Sequence, residues 1–332
     1  MKQIFYIANA ESENIEVWNL HNNENMELIQ TVQTNGQVQP ISIIKNKNLL
    51  YAGVRPNNCI VSYWIDENGL LKKKGESIIP GTPNYISFDS SEKFLFCSSY
   101  HSNCISVSPL DKNGVPKNPI QIIHNIEGCH ASKFNSKYNV LFVTSLKNDC
   151  IYLYKLTDFG ILKSTEQKLV SSQLKSGPRH IIFHPNQNFA YTVNELNGTV
   201  DVWKIYQENT LLKVKNIQNV NLSNLKEKKY WSSDIHLTSC GNFLYVSDRF
   251  LNSISLFHVN KNDNKINFLK KYDTEEQPRS FCIDENNNYL IVAGQKSNKL
   301  SLYRICQKKG TLKKISEYKT SKGPLWIASF IM

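Results

Sequence analysis

The sequence predicts an all-β chain folded as a seven-bladed β-propeller, and three observations carry that prediction. One unit recurs along the 332 residues. Its strands alternate with period two, and no segment has a convincing helical period. The copy that completes the set is divided between the two ends of the chain.

Each unit reads as a turn with Pro, a short apolar run, a polar turn, a second apolar run and an alternating strand. The clearest copies are GPRHIIFHPNQNFAYTVNELNGTVDVWKI (177–205) and QPRSFCIDENNNYLIVAGQKSNKLSLYRI (277–305). Further copies occupy 39–65, 82–110, 128–156 and 232–259. For the seventh, GPLWIASFIM (323–332) supplies the first strand and KQIFYIANAESENIEVWNL (2–20) the second and third. Copies lie about 43 to 55 residues apart, room for four short strands, the fourth in segments such as KINFLKKY (265–272). A divided repeat closes the ring, because strands from both termini share one sheet. Two stacked β-sandwiches would not divide a repeat in this way. Residues 1–332 are therefore expected to form a single propeller domain.

Composition narrows the classes. Apolar residues make up 40% and aromatics 11%, enough for a core and too much for wholesale disorder. No run approaches ~18 apolar residues, and the N-terminus lacks the pattern of a secretory signal. Eight Cys are too sparse for a disulfide scaffold, and most (Cys59, Cys97, Cys104, Cys150, Cys282, Cys306) stand in apolar, strand-like surroundings. They read as reduced core thiols of a cytoplasmic protein. The net charge of +11 is nearly all Lys, placed in segments read as connectors: 70–74, 224–229 and 310–315. Without a long basic run or an RNP-like aromatic motif, nucleic acid is not the expected partner, nor is a membrane.

Two rings of side chains are expected to meet at one mouth of the channel. In an antiparallel hairpin, the start of strand one and the end of strand two lie at the same end. The first ring reads Ile41, Asn84, His130, Arg179, Asp234, Arg279 and Leu325. The second reads Ala10, Arg55, Tyr100, Leu146, Glu195, Arg249 and Gln295. Of five Arg in the chain, four fall in these rings: Arg55, Arg179, Arg249 and Arg279. Their planar forks suit phosphate or carboxylate. With His130, Glu195 and Asp234 on the same rim, the pattern describes an acid–base site for a small anion. A bland alternative ties Asp234 to Arg249 as a structural pair. Arg179 and Glu195 face each other across one hairpin, where a salt bridge would keep Glu195 ionised.

Other motifs carry less. His180 and His184 are spaced as HxxxH, but the segment alternates as a strand and ends at Pro185, whereas a zincin pair needs a helix. His236 shares a strand face with Asp234 and is expected to point down the channel. There is no P-loop lysine, no GxGxxG and no GxSxG elbow, so neither nucleotide binding nor a covalent serine mechanism is indicated. No metal and no redox cofactor is demanded.

The strings GCH (128–130), GPRHIIFHPN (177–186), SSDIHL (232–237), SDR (247–249), QPR (277–279), AGQKS (293–297) and GPLW (323–326) resemble the bacterial propeller-type 6-phosphogluconolactonase family. So does the opening QIFYIANAESENIEVWNL, and the resemblance spans essentially the whole chain. It implies hydrolysis of 6-phospho-D-glucono-1,5-lactone in the oxidative pentose phosphate pathway, with a small phosphorylated sugar lactone as partner. That family is similar in fold to carboxymuconate lactone-forming enzymes, whose His, Glu and Arg correspond here to His130, Glu195, Arg179 and Arg249. On this reading Glu195 or His130 activates water, and Arg179 with one neighbour stabilises the oxyanion. Arg279 then holds the phosphate, with Arg249, Lys296, Asp234 and Arg55 as further binding candidates. A non-catalytic anion-binding propeller and a muconate-type lactone enzyme stay open as alternatives.

Overall fold

The computed structural model describes residues 2–22, 24–223 and 229–332, so most of the basic segment 224–229 lies outside the described residues. Period-two alternation and turn residues of positive φ, chiefly Asn and Gly, divide the chain into seven four-stranded antiparallel sheets. Blade 1 runs Pro324–Ile331, Gln3–Asn9, Asn14–Leu20 and Met26–Gln33, so it is built from both termini. Blades 2 to 7 follow in chain order, each with its first strand innermost. The inner strands are Gln37–Ile44, Tyr85–Phe88, Cys129–Asn135, Pro178–Phe183, Ser232–Leu237 and Pro278–Ile283. Together with Pro324–Ile331 they touch in a closed ring around the channel. Among the described residues there is no α-helix, and no helix long and apolar enough to cross a membrane.

The core lies between blades, because each sheet is covered on both faces by its neighbours. Ile4, Tyr6 and Ala8 of blade 1 pack on Val38, Leu50 and Ala52 of blade 2, all at most 1% exposed. Polar ties repeat at fixed positions. Tyr6, Tyr51, Tyr191 and Tyr245 each donate a hydroxyl hydrogen bond to a turn carbonyl of the next blade, at 2.6–3.0 Å. Farther out, one Gln amide both donates to and accepts from one residue of the next blade's fourth strand. These pairs are Gln30 with Leu71, Gln121 with Leu162, Gln167 with Val214, and Gln218 with Ile266.

Two expectations need correction. The basic segments at 70–74 and 310–315 are not connectors: Lys72, Lys73, Lys74, Lys313 and Lys314 stand on the outermost strands Leu71–Ile78 and Leu312–Lys319. Lysines there blunt exposed sheet edges against pairing with other chains, so much of the positive charge serves solubility. Among the cysteines, all eight are free, but Cys306 is exposed, while Cys129 is the sixth buried thiol with Cys59, Cys97, Cys104, Cys150 and Cys282.

Candidate active site at the channel mouth

A β-bulge near the start of the inner strand positions the site. The register between inner and second strand slips in six blades, each time near the channel end. In blade 4 His130 and Ala131 oppose Thr144; in blade 5 Arg179 and His180 oppose Val193; in blade 6 Ser233 and Asp234 oppose Ser247. A bulge bends the strand and re-aims side chains, so neighbouring residues need not point to opposite faces. The bulge amides are satisfied locally: Ala131 N–H donates to Thr144 Oγ1 at 3.0 Å, and Asp234 N–H to Ser247 Oγ at 3.0 Å. In blade 2 the residue opposite Gln39 and Pro40 is Gly53, where an added Cβ would lie 2.6–2.8 Å from Pro83, Gln39 O and Pro40. Neighbouring blades are stapled at bulge carbonyls: Asn84 Nδ2 donates to His130 O, Thr144 Oγ1 to Arg179 O, and Ser233 Oγ to Arg279 O, at 2.6–2.8 Å.

These bulges correct two alignments; Ile41 lies beyond its bulge, opposite Ala52, and Gln39 takes its place in the first ring. By register the residue matching His130 and Arg179 is Ser233, and Asp234 matches His180 one step deeper. Asp234 accordingly bonds His180 and His236 in the channel rather than pairing with Arg249. The second ring lies as aligned: Arg55 is the last residue of Leu49–Arg55, and the others directly follow strands ending at Asn9, Ser99, Ser145, Asn194, Asp248 and Gly294.

At the mouth, Glu195 is gripped from two sides. Its Oε2 lies 2.9 Å from Arg179 Nε in an ion pair and accepts from Arg249 Nη2 at 2.8 Å, and Oε1 accepts from Trp231 Nε1 at 3.3 Å. Arg179 Nη1 donates to Ser233 O at 2.5 Å and to His180 Nε2 at 3.1 Å. Arg249 Nε reaches Trp231 O, and its guanidinium carbon stacks 3.9 Å from the centre of the Trp231 ring. Arg179 and Arg249 are only 1% and 3% exposed. Buried polar atoms without a hydrogen-bond partner also gather here, among them His130 Nδ1, Arg179 Nε, Arg279 Nε, Arg55 Nε and Gln295 Oε1. Arg55 Nη2 donates to Gln39 Oε1 at 3.1 Å. Lys296 stands exposed, held only through its backbone N–H to Glu276 O. The fifth Arg, Arg304, pairs with Glu24 at the exposed outer side of the ring.

Electrostatics follow from this crowding. Burial pushes Arg279 well below the usual guanidinium value, and the charges of Arg179, Arg249 and Arg55 add to it. Burial and Arg179 lower Arg249 to about 9, against the pull of Glu195. For Glu195, burial raises the carboxyl, but Arg179, Arg249 and Arg279 outweigh it and hold it below its ordinary value. His130 is pushed well below 6.5 by burial and then by the cations Arg179, Arg279 and Arg249, so at neutral pH its ring is uncharged. The mouth thus holds one carboxylate, a neutral imidazole and an excess of guanidinium charge, a setting that attracts an anion.

A lactonase family model described as a seven-bladed β-propeller matches residues 5–329. The chain belongs to this lactonase family. Within it, the 6-phosphogluconolactonase of Buchnera aphidicola from Schizaphis graminum is 80% identical over 100% of both chains. That of Erwinia tasmaniensis is 40% identical over 98% of each. Among solved structures, the periplasmic gluconolactonase of Pseudomonas aeruginosa superposes with a TM-score of 0.92 over 100% of this chain and 99% of that one. At 19% identity that likeness is one of fold.

Of the residues expected at the site of this lactonase, Arg179, Glu195 and Arg249 form one bonded cluster, with Arg279 and His130 in its electrostatic reach. Two members were missed by sequence reasoning. Trp231 precedes the inner strand of blade 6, and its signal was an aromatic beside an Asp–Ile–His strand. His180 was weighed only as a metal ligand; as the second residue of the blade 5 bulge it lies beside Arg179.

Proposed function

We propose that this chain hydrolyses 6-phospho-D-glucono-1,5-lactone to 6-phospho-D-gluconate. The observation that carries the reading is how the arginines divide. Arg179 and Arg249 share the Glu195 carboxylate, whereas Arg279 and Arg55 have no carboxylate partner among the described residues. A substrate with a weakly charged reacting end and a strongly anionic remote end matches that division. The names borne by these relatives support the same substrate.

The lactone carbonyl would sit against Arg179, whose Nη2 has no protein acceptor among the described residues while Nη1 is hydrogen-bonded and Nε faces Glu195 as an ion pair. His130 accepts the proton of the attacking water, because its ring is neutral and its Nδ1 has no partner. The water oxygen bonds to C1, and the carbonyl electron pair moves onto an oxygen stabilised by Arg179. The ester bond from C1 to the ring oxygen then breaks as that oxygen takes the proton back from His130. Glu195, held as a carboxylate, keeps Arg179 and Arg249 in place. Arg279 and Arg55 take the phosphate, with Arg249 and Lys296 at its margin. A lactone is an activated ester, so one base and one oxyanion contact, worth ~10²–10⁴ and ~10²–10³, are sufficient. Eight free thiols fit a reducing compartment, and we place the enzyme in the cytoplasm.

The deciding experiment measures acid release from freshly made 6-phosphogluconolactone, gluconolactone and a muconolactone, each corrected for spontaneous opening. The phosphorylated lactone should exceed the other two in kcat/KM by about 10²-fold or more, the scale of a lost charge-assisted contact pair. Equal rates with gluconolactone would remove the phosphate from the reading.

A further inference from the structure

Behind Arg179, a line of polar side chains continues from the mouth into the channel. Arg179 Nη1 lies 3.1 Å from His180 Nε2, and His180 Nδ1 lies 2.8 Å from Asp234 Oδ1. A guanidinium offers only donors. The His180 nitrogen facing it must therefore carry the lone pair, and the ring proton must sit on Nδ1, where Asp234 accepts it. Asp234 is itself fixed by Ser280 Oγ at 3.0 Å, Ile235 N–H at 3.0 Å and His236 Nε2 at 3.2 Å. The chain of donors has one direction: guanidinium to imidazole to carboxylate. All three side chains are buried, at 1%, 4% and 5% exposure for Arg179, His180 and Asp234.

The packing leaves the imidazole little freedom. Ring centres of His130, Tyr85 and Trp326 lie 5.1, 5.3 and 5.5 Å from that of His180. The two bulges explain why the line exists at all. Arg179 and His180 are the paired bulge residues of blade 5, and Ser233 and Asp234 are those of blade 6. Ser233 therefore presents its carbonyl to Arg179 while Asp234 reaches His180, so one bulge faces the other across the blade boundary.

We propose that His180, oriented by Asp234, is a positioning residue for lactone opening: it accepts a hydrogen bond from Arg179 and so aims the free edge of that guanidinium at the developing oxyanion. The proposal rests on the lactonase reading above. The Arg179 fork is held by an ion pair with Glu195 and by hydrogen bonds to Ser233 O and His180. Removing one lets the plane rotate, and a displacement near 1 Å at a reacting contact costs about 10²-fold in rate.

Two isosteres separate positioning from simple support. His180→Gln places an acceptor near the Nε2 position and gives up the Asp234 bond. His180→Asn keeps a donor near the Nδ1 position for Asp234 and gives up Arg179. Positioning predicts that kcat for the phosphorylated lactone falls about 10- to 100-fold in His180→Asn and only a few-fold in His180→Gln, with KM nearly unchanged in both. A supporting role for buried Asp234 predicts the reverse order, in kcat and in melting temperature alike, and either the reverse order or equal losses would overturn the proposal. Nitrogen-15 NMR of ring-labelled histidine reads the tautomer without any assay. Wild type should show the His180 proton on Nδ1, and a proton on Nε2 would sink the idea even if no variant folds. A wild-type chain without turnover would defeat the lactonase reading itself, an outcome distinct from any difference between variants.

Discussion

At the scale of single residues, the site works by dividing charge among groups that could not be buried alone. Glu195 neutralises part of a guanidinium cluster, and the unpaired remainder is what an anionic substrate would complete. Substitutions should accordingly differ in kind. On the proposed roles, Arg279→Ala removes a contact to the remote phosphate and should raise KM by about 10- to 100-fold, with kcat little changed. If His130 is the proton acceptor, His130→Ala should lower kcat by ~10²–10⁴ with little change in KM. Steady-state kinetics on 6-phosphogluconolactone check both, and near wild-type turnover in His130→Ala would transfer the base role to Glu195. Acid stability follows from the same burial. His180 titrates at about 4, lowered by burial and by Arg179 against the pull of Asp234, whereas an unfolded His titrates near 6.5. Its folded value is depressed, so between pH 6.5 and about 4 the unfolded chain binds the extra proton, and stability falls with falling pH. His130 acts in the same direction. Urea melts at pH 7, 6 and 5 should show a loss of about 1.4 kcal/mol per pH unit for each such imidazole below pH 6.5, and His180→Gln should flatten the slope.

At the scale of elements, the repeating unit is a strand set that cannot satisfy itself and borrows from the next blade. The Gln167 amide meets both the carbonyl and the N–H of Val214, at 2.8 and 2.7 Å, so Gln167→Leu leaves two backbone groups without partners. The expected cost is about 1–3 kcal/mol in a urea melt, with lactonase kinetics unchanged because the clamp lies on the outer strands. A cost near zero would mean that water replaces the clamp. The same elements mark what the sequence could reveal. Strand order, turns and the second ring were legible, because period-two alternation and turn chemistry are local and the second strands keep regular register. The bulges were not. Nothing local distinguishes Ser233–Asp234 from an unbulged pair, so Asp234 was aligned with Arg179 although it belongs with His180. For the same reason His180 was weighed only as half of an HxxxH pair and not as a neighbour of Arg179. Lysine runs hid the alternation of the outer strands, whose fourth positions were taken for connectors.

At the scale of the whole molecule, seven blades share one boundary condition: the ring must close. Closure was legible because one repeat was divided between the termini, its first strand at the C-terminus and the rest at the N-terminus, and the pairing runs from Gln3 opposite Ile331 to Asn9 opposite Pro324. The strand Pro324–Ile331 also abuts the inner strands of blades 2 and 7, so it joins the first blade to the last. Deleting residues 323–332 removes the buried Leu325, Ile327 and Phe330 and bares one edge of Gln3–Asn9, a strand that is almost wholly buried in the intact ring. An unpaired, apolar edge without lysines is a template for aggregation, unlike the lysine-bearing outer strands. The truncated chain should therefore aggregate or lose the single cooperative transition expected of one closed unit. A synthetic peptide of residues 323–332 added during refolding should restore soluble protein, since it carries the missing strand with its own register. A truncated chain that stays soluble and melts in one sharp transition without the peptide would show that six blades and an open sheet suffice, and closure would then be incidental to folding.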